Sequence, residues 1–155
     1  MQPLYRESKK HYEIFLTKTN HDPPHLHKSV EFVYVLEGTL EIGVRKELYH
    51  MEAGDFAIVF PEIVHHYQAF DPKPGKVVYL MFDPTYTGSY LSYLQQYCPQ
   101  DPVIKQKNLH PDITYAMNSL LKQRKKLDSI MIPQAFVQIM LTHALPCYTL
   151  FEKSS

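Results

Sequence analysis

The chain has 155 residues and no formal net charge, because 16 basic side chains balance 16 acidic ones. This length suits one domain with a single hydrophobic core and is too short for two such domains. Balanced charge argues against a nucleic-acid-binding module, which normally shows an excess of basic residues on one face.

Residues 1–24 are expected to form an N-terminal arm. Apolar side chains alternate with polar or exposed positions from Tyr12 to Leu16, which predicts a strand at about residues 10–18 that belongs with the following barrel. The segment His21–Pro24 predicts a break after that strand. Because prolines interrupt it, the arm is expected to be tied only loosely to the rest of the domain.

A series of short strands is predicted next. Turns at Glu37-Gly38 and Arg45-Lys46 separate alternating apolar segments, as they do in β-hairpins. Phe56–Phe60 is a nearly continuous apolar strand, and Lys76–Phe82 is the last strand that the pattern supports. Short strands at close spacing are typical of a β-barrel or a β-sandwich.

After Asp83 the spacing of apolar residues changes from 2 to about 3.6, which is the period of a helix. The residues that repeat at this spacing are Tyr86, Tyr90, Tyr93 and Tyr97. They predict a helix that ends at Pro99 and either packs on the barrel wall or covers a ligand as an aromatic lid. Packing on the wall is the favoured interpretation, because amphipathic helices ordinarily cover a core.

Two further helices are predicted near the end of the chain. The first begins near Pro111, where proline suits the first turn. The second begins near Asp128-Ser129, which can cap it, and continues to Ala144. No formally charged residue lies between Asp128 and Glu152. A helix that is apolar nearly all round must be buried in a core, a membrane or a partner.

Burial against a second copy of the chain is the favoured interpretation for this helical pair, residues 110–151. Prolines and polar side chains such as Gln134 and Gln138 argue against a membrane span. A small barrel cannot cover both faces of the last helix, so we expect a homodimer. The expected interface residues are Met117, Leu120, Phe136, Ile139, Met140 and His143.

Two short motifs supply a candidate metal site. His25, His27 and Glu31 occur in the pattern H-x-H-x3-E-x6-G, and His65 ends the pattern G-x6-P-x3-H. Three imidazoles and one carboxylate are a suitable ligand set for a divalent metal. Positions 25, 27 and 31 share one face of an extended strand, and His65 would reach the same space from a neighbouring strand. The alternative is a polar pocket lining in which the histidines bond to one another and to Glu31.

Other polar residues have structural interpretations. Because side chains alternate along a strand, His66 is expected to face away from the site, and His50 is expected to be structural. The basic segment Lys122–Lys126 is expected to be a solvated loop between two helices. The sequence contains no phosphate-binding glycine loop and no Ser-His-Asp set, so no catalytic residue is predicted.

Cysteine usage and the N-terminus indicate the compartment. Cys98 and Cys147 lie far apart and form no C-x2-C pair, which suits reduced thiols. Residues 1–7 include charges where a signal peptide needs an apolar segment. We therefore expect a cytoplasmic protein.

The motif pair resembles the two signature motifs of the cupin superfamily. Gly38 and Gly54 fall on the turns of these motifs, whereas Thr19 and Glu62 stand where the family often has glycine. The resemblance implies a mainly β fold with C-terminal helices. In this fold a cupin-type double-stranded β-helix (jelly-roll) barrel at residues 25–105 precedes an α-helical hairpin. It also implies that the four candidate ligands hold a divalent metal such as Zn, Ni, Fe or Mn.

A cupin barrel followed by two helices is similar to the N-terminal effector-sensing and dimerisation half of AraC-type transcriptional regulators. This resemblance implies that the barrel binds a small-molecule effector, for example a sugar, and catalyses no reaction. It further implies that DNA is bound only by a C-terminal helix-turn-helix domain that residues 1–155 do not contain. The alternative is a stand-alone metal-dependent cupin enzyme, a dioxygenase or isomerase, which needs open coordination positions for its substrate. A third, weaker alternative is a plain sugar-binding module.

Overall fold

The structure is a computed structural model that describes residues 4–126 and 129–153. Two five-stranded β-sheets enclose the core, and helices follow them in the chain. The strands are β1 (Leu4–Tyr5), β2 (Tyr12–Lys18), β3 (Asp22–Leu26), β4 (Val30–Glu37), β5 (Thr39–Val44), β6 (Glu47–Glu52), β7 (Phe56–Val59), β8 (His65–Gln68), β9 (Lys76–Phe82), β10 (Tyr97–Pro99), β11 (Val103–Ile104) and β12 (Leu150–Glu152). The α-helices are α1 (Leu91–Gln96), α2 (Pro111–Lys122) and α3 (Met131–Ala144).

The strands are arranged as in a jelly-roll. The first sheet has the order β1-β3-β8-β5-β6, and the second has the order β11-β7-β4-β9-β2. The chain crosses from one sheet to the other between β3 and β4 and again between β4 and β5, so residues close in sequence line opposite walls. A separate antiparallel pair joins β10 to β12. The predicted mainly β fold with C-terminal helices is confirmed.

The apolar strand β4 lies at the centre of the second sheet. It pairs with β7 on one side and β9 on the other, and residues 30–35 are all buried. The Phe32 ring packs edge-to-face against Phe56 and Phe82, with ring centroids 5.3 and 5.0 Å apart. Such aromatic pairs stabilise the core beyond the burial of their area. This packing holds Glu31, on the same strand, at a fixed position inside the domain.

The N-terminal arm is tied to the barrel more firmly than its sequence predicts. The strand expected at residues 10–18 is β2, which pairs with β9 along its whole length. Nor do the prolines end a strand, because Pro23 and Pro24 lie within β3. The pairing of β3 with β8 is irregular between Asp22 and His25. Proline is tolerated there because an irregularity in the ladder requires no regular backbone hydrogen bond.

The predicted tyrosine helix is wrong in its extent. Residues Pro84–Tyr90 form a 3-10 helix that is interrupted at Gly88, where φ is +58° and ψ is −128°. Within the segment 84–99 only α1 is α-helical, and Tyr97 begins strand β10 instead of ending a helix. The Tyr86 ring stacks on Tyr12 of β2, with centroids 6.0 Å apart. The segment therefore packs on the barrel wall, as favoured, and does not form a lid.

The two C-terminal helices occur where the sequence predicts them. The Ser129 hydroxyl accepts a hydrogen bond of 3.2 Å from the Met131 amide at the start of α3. Asp128, the other expected cap, lies outside the described residues. Among residues 4–126 and 129–153, no helix has both the length and the apolar content that a bilayer crossing requires.

Half of the expected dimer interface is wrong. Met117, Leu120 and Met140 are at most 1% exposed in a single chain, because they fill the space between α2, α3 and the barrel. A side chain that one copy already buries cannot contact another copy. Phe136, Ile139 and His143 remain at the surface of α3.

Gly75 occupies a position where a side chain would strike the backbone. A Cβ atom there would lie 2.1 Å from the carbonyl oxygen of Glu37 and 3.1 Å from the Cα of Gly38. Replacing Gly75 with alanine should therefore lower the free energy of unfolding by about 2 kcal/mol, as measured by urea denaturation. Gly43→Ala is the matched control, because the atoms nearest to its Cβ belong to the His66 ring, which can rotate. Equal losses in the two variants would contradict this account.

Candidate metal centre

Four buried side chains converge inside the barrel. His25 lies on β3, His27 directly follows this strand, Glu31 lies on β4, and His65 begins β8. One ligating atom from each residue lies within 4.8 Å of the others. The predicted convergence is confirmed, but its geometry differs from the one expected. His25 and Glu31 belong to opposite sheets rather than to one extended strand, because the chain crosses the barrel between them.

Each histidine is oriented by a hydrogen bond to the backbone. The Nδ1 atoms of His25, His27 and His65 lie 2.8, 2.9 and 2.8 Å from the carbonyl oxygens of Pro23, Ser29 and Ile63 respectively. Because a carbonyl oxygen can only accept, each Nδ1 carries a proton, so in the neutral form of each ring the lone pair lies on Nε2. This orientation is the one in which histidines bind metals in proteins.

Two of these lone pairs have no hydrogen-bond partner. The Nε2 atoms of His27 and His65 are buried and unpaired among the described residues. Their distances to the carboxylate of Glu31, 3.4 and 3.6 Å, are too long for good hydrogen bonds. Buried polar atoms are rarely left unpaired in proteins. The residues therefore fit a divalent metal better than a pocket lining in which they satisfy one another.

The charges within the cluster favour a cation. Burial alone would raise the pKa of the Glu31 carboxyl, but the imidazoles of His65 and His27 outweigh it and hold this pKa well below its usual range. Burial also lowers the pKa of His25, and the neighbouring His65 adds to the effect. For His27, the opposing effect of burial is outweighed by Glu31, and the pKa is raised. The site thus holds an ionised carboxylate beside a neutral imidazole, and these are the forms that bind metal.

Two tyrosines that neither motif includes, Tyr67 and Tyr79, support the cluster. The Tyr67 hydroxyl donates a hydrogen bond to the Glu31 carboxylate, and both side chains are buried. Burial first, and then the charge of Glu31, raise the pKa of Tyr67, so the phenol remains a donor. The Tyr79 ring packs on Tyr67, with centroids 5.2 Å apart. Strand alternation could have indicated Tyr67, because it lies two residues after His65 on the same face of β8.

A cavity of about 500 Å³ leads from the surface to this cluster. His25, His27 and Glu31 lie at its floor, while Phe15 and Met81 supply apolar wall. The rim includes residues of the arm and of β2, which are Arg6, Glu7, Ser8, Glu13, Thr17 and Lys18. A concave space with an apolar wall and convergent polar groups is typical of a small-molecule site.

Asp22 is a further functional candidate that the sequence did not indicate. Its Oδ2 atom lies 3.9 Å from the Nε2 of His25, and its Oδ1 atom pairs with Arg6 at 3.0 Å. The irregular register of β3 places this carboxylate beside the imidazole, and no local pattern predicts such an irregularity. Asp22 adds an acid or base at the entrance to the four-residue cluster.

The family model described as a cupin domain matches residues 12–81 of this chain. This segment includes both motifs, all four candidate ligands and the strands from β2 to most of β9. Residues 12–81, a little under half of the chain, are thus similar to a cupin domain. No curated protein matches the sequence significantly.

Solved structures, two of them named as cupins, resemble part of this chain at low sequence identity. A conserved protein of unknown function from Streptococcus pyogenes is 19% identical, with a TM-score of 0.44 over 50% of this chain and 68% of that one. The cupin domain of Schizosaccharomyces pombe Cnp3 is 12% identical, with a TM-score of 0.46 over 52% and 58%. An RmlC-like cupin from Shewanella frigidimarina is 22% identical, with a TM-score of 0.41 over 46% and 65%.

This chain thus spans 58–68% of the length of those three chains. None of their TM-scores exceeds 0.46, so the similarity to cupins depends on the family match at residues 12–81.

The remaining polar residues agree with their structural interpretations. His66 lies on the opposite face of β8 from His65 and packs against Gly43. His50 is half-exposed and lies 2.6 Å from a carboxylate oxygen of Glu41. The basic segment 122–126 is exposed except at Gln123, as expected for a solvated loop.

Tyr67 should contribute to metal affinity without touching the metal. Replacing it with phenylalanine removes the hydrogen bond that orients Glu31, and loss of such an outer partner lowers metal affinity about 10–100-fold. Titration calorimetry with Zn²⁺ measures the effect. Tyr79→Phe is the matched control, because this tyrosine lines the same cavity but has no hydrogen bond to Glu31 among the described contacts. A Tyr67→Phe variant with wild-type affinity would contradict the assignment.

Proposed function

We propose that this chain is a ligand-sensing cupin domain. In this proposal it binds a divalent metal and a small molecule in the barrel cavity and forms a homodimer through α2 and α3, like the sensor half of an AraC-type regulator. The observation that carries the proposal is the buried His25, His27, Glu31 and His65 cluster at the floor of an open cavity. A metal ion bound by such a cluster can hold an effector in place, in addition to the fit of the effector to the cavity.

The four clustered residues would hold a divalent ion of the Zn, Ni, Fe or Mn class. When bound, that ion supplies a Lewis-acidic anchor for an oxygen atom of the ligand. The protein supplies the rest of the binding site. Glu31, ionised and fixed by Tyr67, balances the positive charge, and the backbone carbonyls keep the three imidazoles aimed inward.

The cavity suits a compact ligand with several hydroxyl or carboxylate groups. Thr17, Asn20 and Glu13 offer hydrogen-bonding groups near the rim, and Lys18 offers a positive charge. The rings of Phe15 and Tyr79, with centroids 5.5 Å apart and planes inclined by 38°, form an apolar wall. A sugar presents this combination of polar edges and an apolar face. DNA would be bound only through a separate C-terminal helix-turn-helix domain, because this chain has no excess of positive charge.

A second candidate function is metal-dependent catalysis, as a dioxygenase or isomerase. The specific observation in its favour is the position of Asp22, whose carboxylate lies 3.9 Å from His25. A general acid or base beside a metal cluster is what such chemistry needs. Against it, Asp22 is already paired with Arg6, and Tyr67 is held protonated as a donor to Glu31.

One experiment distinguishes the two functions. Protein loaded with Zn²⁺, Fe²⁺ or Mn²⁺ is screened by thermal shift against sugars and small organic acids, and each stabilising compound is then incubated with the protein and quantified. The sensor proposal expects a compound that raises Tm, is recovered unchanged, and no longer stabilises Glu31→Gln. Steady consumption of the compound by the parent protein, absent in His25→Ala, would show that the protein is an enzyme and not a sensor. If no compound raises Tm with any of the metals, the proposal is wrong.

A further inference from the structure

A second cluster of metal-ligating side chains lies where the start of α2 meets the end of α3. His110 immediately precedes α2, Asp112 lies in its first turn, and His143 lies in the last turn of α3. One ligating atom from each residue lies within 4.8 Å of the others. None of the three residues lines the barrel cavity, so this cluster is separate from the candidate metal centre.

The distances within this cluster approach those of a coordination sphere. The Oδ2 atom of Asp112 lies 3.3 Å from the Nε2 of His143 and 3.8 Å from the Nδ1 of His110. Metal bonds of about 2.0–2.2 Å place neighbouring ligands roughly 3–4 Å apart. The three ligating atoms are therefore close enough to surround one ion once the two imidazole rings reorient.

The surroundings of the cluster also suit a cation. Among the described residues, the ion-pair partners of the Asp112 carboxylate are the two imidazoles alone. The side chains of His110, Asp112 and His143 are 42%, 58% and 30% exposed, so an ion can reach them from solvent. Two imidazoles and one carboxylate form a borderline ligand set that suits Zn²⁺, Co²⁺ or Ni²⁺.

We propose that His110, Asp112 and His143 form a second divalent-metal site that ties the start of α2 to the end of α3. Water would complete the coordination sphere. Binding changes two contacts of the metal-free form. The amide of Asp112 gives up its 3.0 Å hydrogen bond to Nδ1 of His110, and the two rings leave their parallel stack, in which their centroids are 3.6 Å apart.

The proposed site would stabilise the helical pair at its open end. The loop that contains residues 123–126 joins α2 to α3 at the other end, so the first turn of α2 and the last turn of α3 have no direct chain connection. A metal bridge there favours the packed arrangement, because an ion that binds only the folded form stabilises it by mass action. The exposed stripe of α3, which consists of Ile132, Phe136, Ile139 and His143, ends at this site.

Metal counting tests the proposal. All proteins carry Cys147→Ser, which removes an exposed thiol one turn after His143 that would compete for zinc. They are dialysed against Zn²⁺, and bound metal is measured by elemental analysis. The expected result is that His143→Gln and Asp112→Asn each bind one equivalent less than the parent and that His65→Ala retains the helical site. His50→Gln is the matched control. The two ring nitrogens of His50 face different carboxylates, those of Glu41 and Glu52, so these three residues cannot surround a single ion.

A second measurement does not depend on any substitution at the site. Histidine side-chain nitrogen NMR of the parent protein, titrated with Zn²⁺, should show shifts of His110 and His143 that saturate by two equivalents, one for each proposed site. Equal metal content in the parent and in His143→Gln would overturn the proposal. So would side-chain signals of both histidines that do not respond to zinc. Because His65→Ala removes one ligand of the barrel site and none of the helical site, failure of the barrel site and failure of the helical site give different results.

Discussion

Replacing His65 with alanine should weaken divalent-metal binding by the barrel at least about 100-fold, since loss of even an outer partner of a metal ligand costs 10–100-fold. His65 is completely buried, and its Nε2 atom faces the Glu31 carboxylate without a hydrogen-bond partner. Removing this imidazole leaves three candidate ligands and a carboxylate that has lost a neutralising neighbour. Zn²⁺ titration by calorimetry measures the change. The titration uses a His143→Gln background, so that the barrel site is measured alone.

His66→Ala is the matched control for this prediction. It removes an imidazole from the next position of the same strand, but the side chain points to the opposite face of β8, against Gly43. Its metal affinity should stay within about threefold of the parent, because it contacts no candidate ligand. If His65→Ala does not fold, Glu31→Gln tests the same site, because it keeps the shape and removes the charge. Parent-like affinity in either barrel variant would exclude a metal role for the cluster.

Several of the longer strands could be predicted closely because each has a local signal. Lys76–Phe82 has the bounds in the structure that the apolar pattern predicts. The turns at Gly38 and Arg45 also occur as expected, with positive φ values of 76° and 59°. Very short strands such as β11 could not be predicted, because two residues show no periodicity and are held only by pairing with β7.

The four candidate ligands could be predicted from motif spacing, but their supporting residues could not. The spacing of His25, His27 and Glu31 predicts a shared site, and the structure has one, although His25 and Glu31 lie on opposite sheets and not on one extended strand. Asp22 and Arg6 meet at the cavity because β1 pairs in parallel with β3 and because β3 has an irregular register. Contacts of this kind depend on long-range pairing, which a local pattern does not contain.

The last helix marks another limit of sequence reasoning. Its nearly uncharged sequence correctly indicates that much of its surface is buried, but the pattern does not tell which surface covers which face. In the structure, Val137, Met140 and Leu141 pack inside the single chain, whereas Ile132 and Ile139 are each 43% exposed. Which face of α3 is buried depends on α2 and on the 3-10 segment 84–90, which pack against this helix.

If the chain forms a homodimer through the outer face of α3, charges at two adjacent positions of this helix should have different effects. One should unfold the chain, and the other should dissociate the dimer. Met140 is completely buried within one chain, so Met140→Asp should lower the free energy of unfolding by about 4 kcal/mol or more and leave little folded protein. Ile139 is 43% exposed, so Ile139→Asp should cost the isolated chain less than about 1 kcal/mol. In the dimer, however, this charge would be buried without a partner, and dissociation should follow.

The exposed stripe of α3 explains why the second effect should be large. Ile132, Phe136, Ile139 and His143 recur at helical spacing on one face, and Phe136 contacts Tyr115 of α2 at a ring-centroid distance of 6.3 Å. Contiguous exposed apolar area of this kind favours association. Light scattering should give twice the chain mass for the parent and the chain mass for Ile139→Asp, with urea midpoints that show the variant still folds. A parent that stays monomeric at high concentration would refute the dimer, as would an Ile139→Asp variant that remains dimeric.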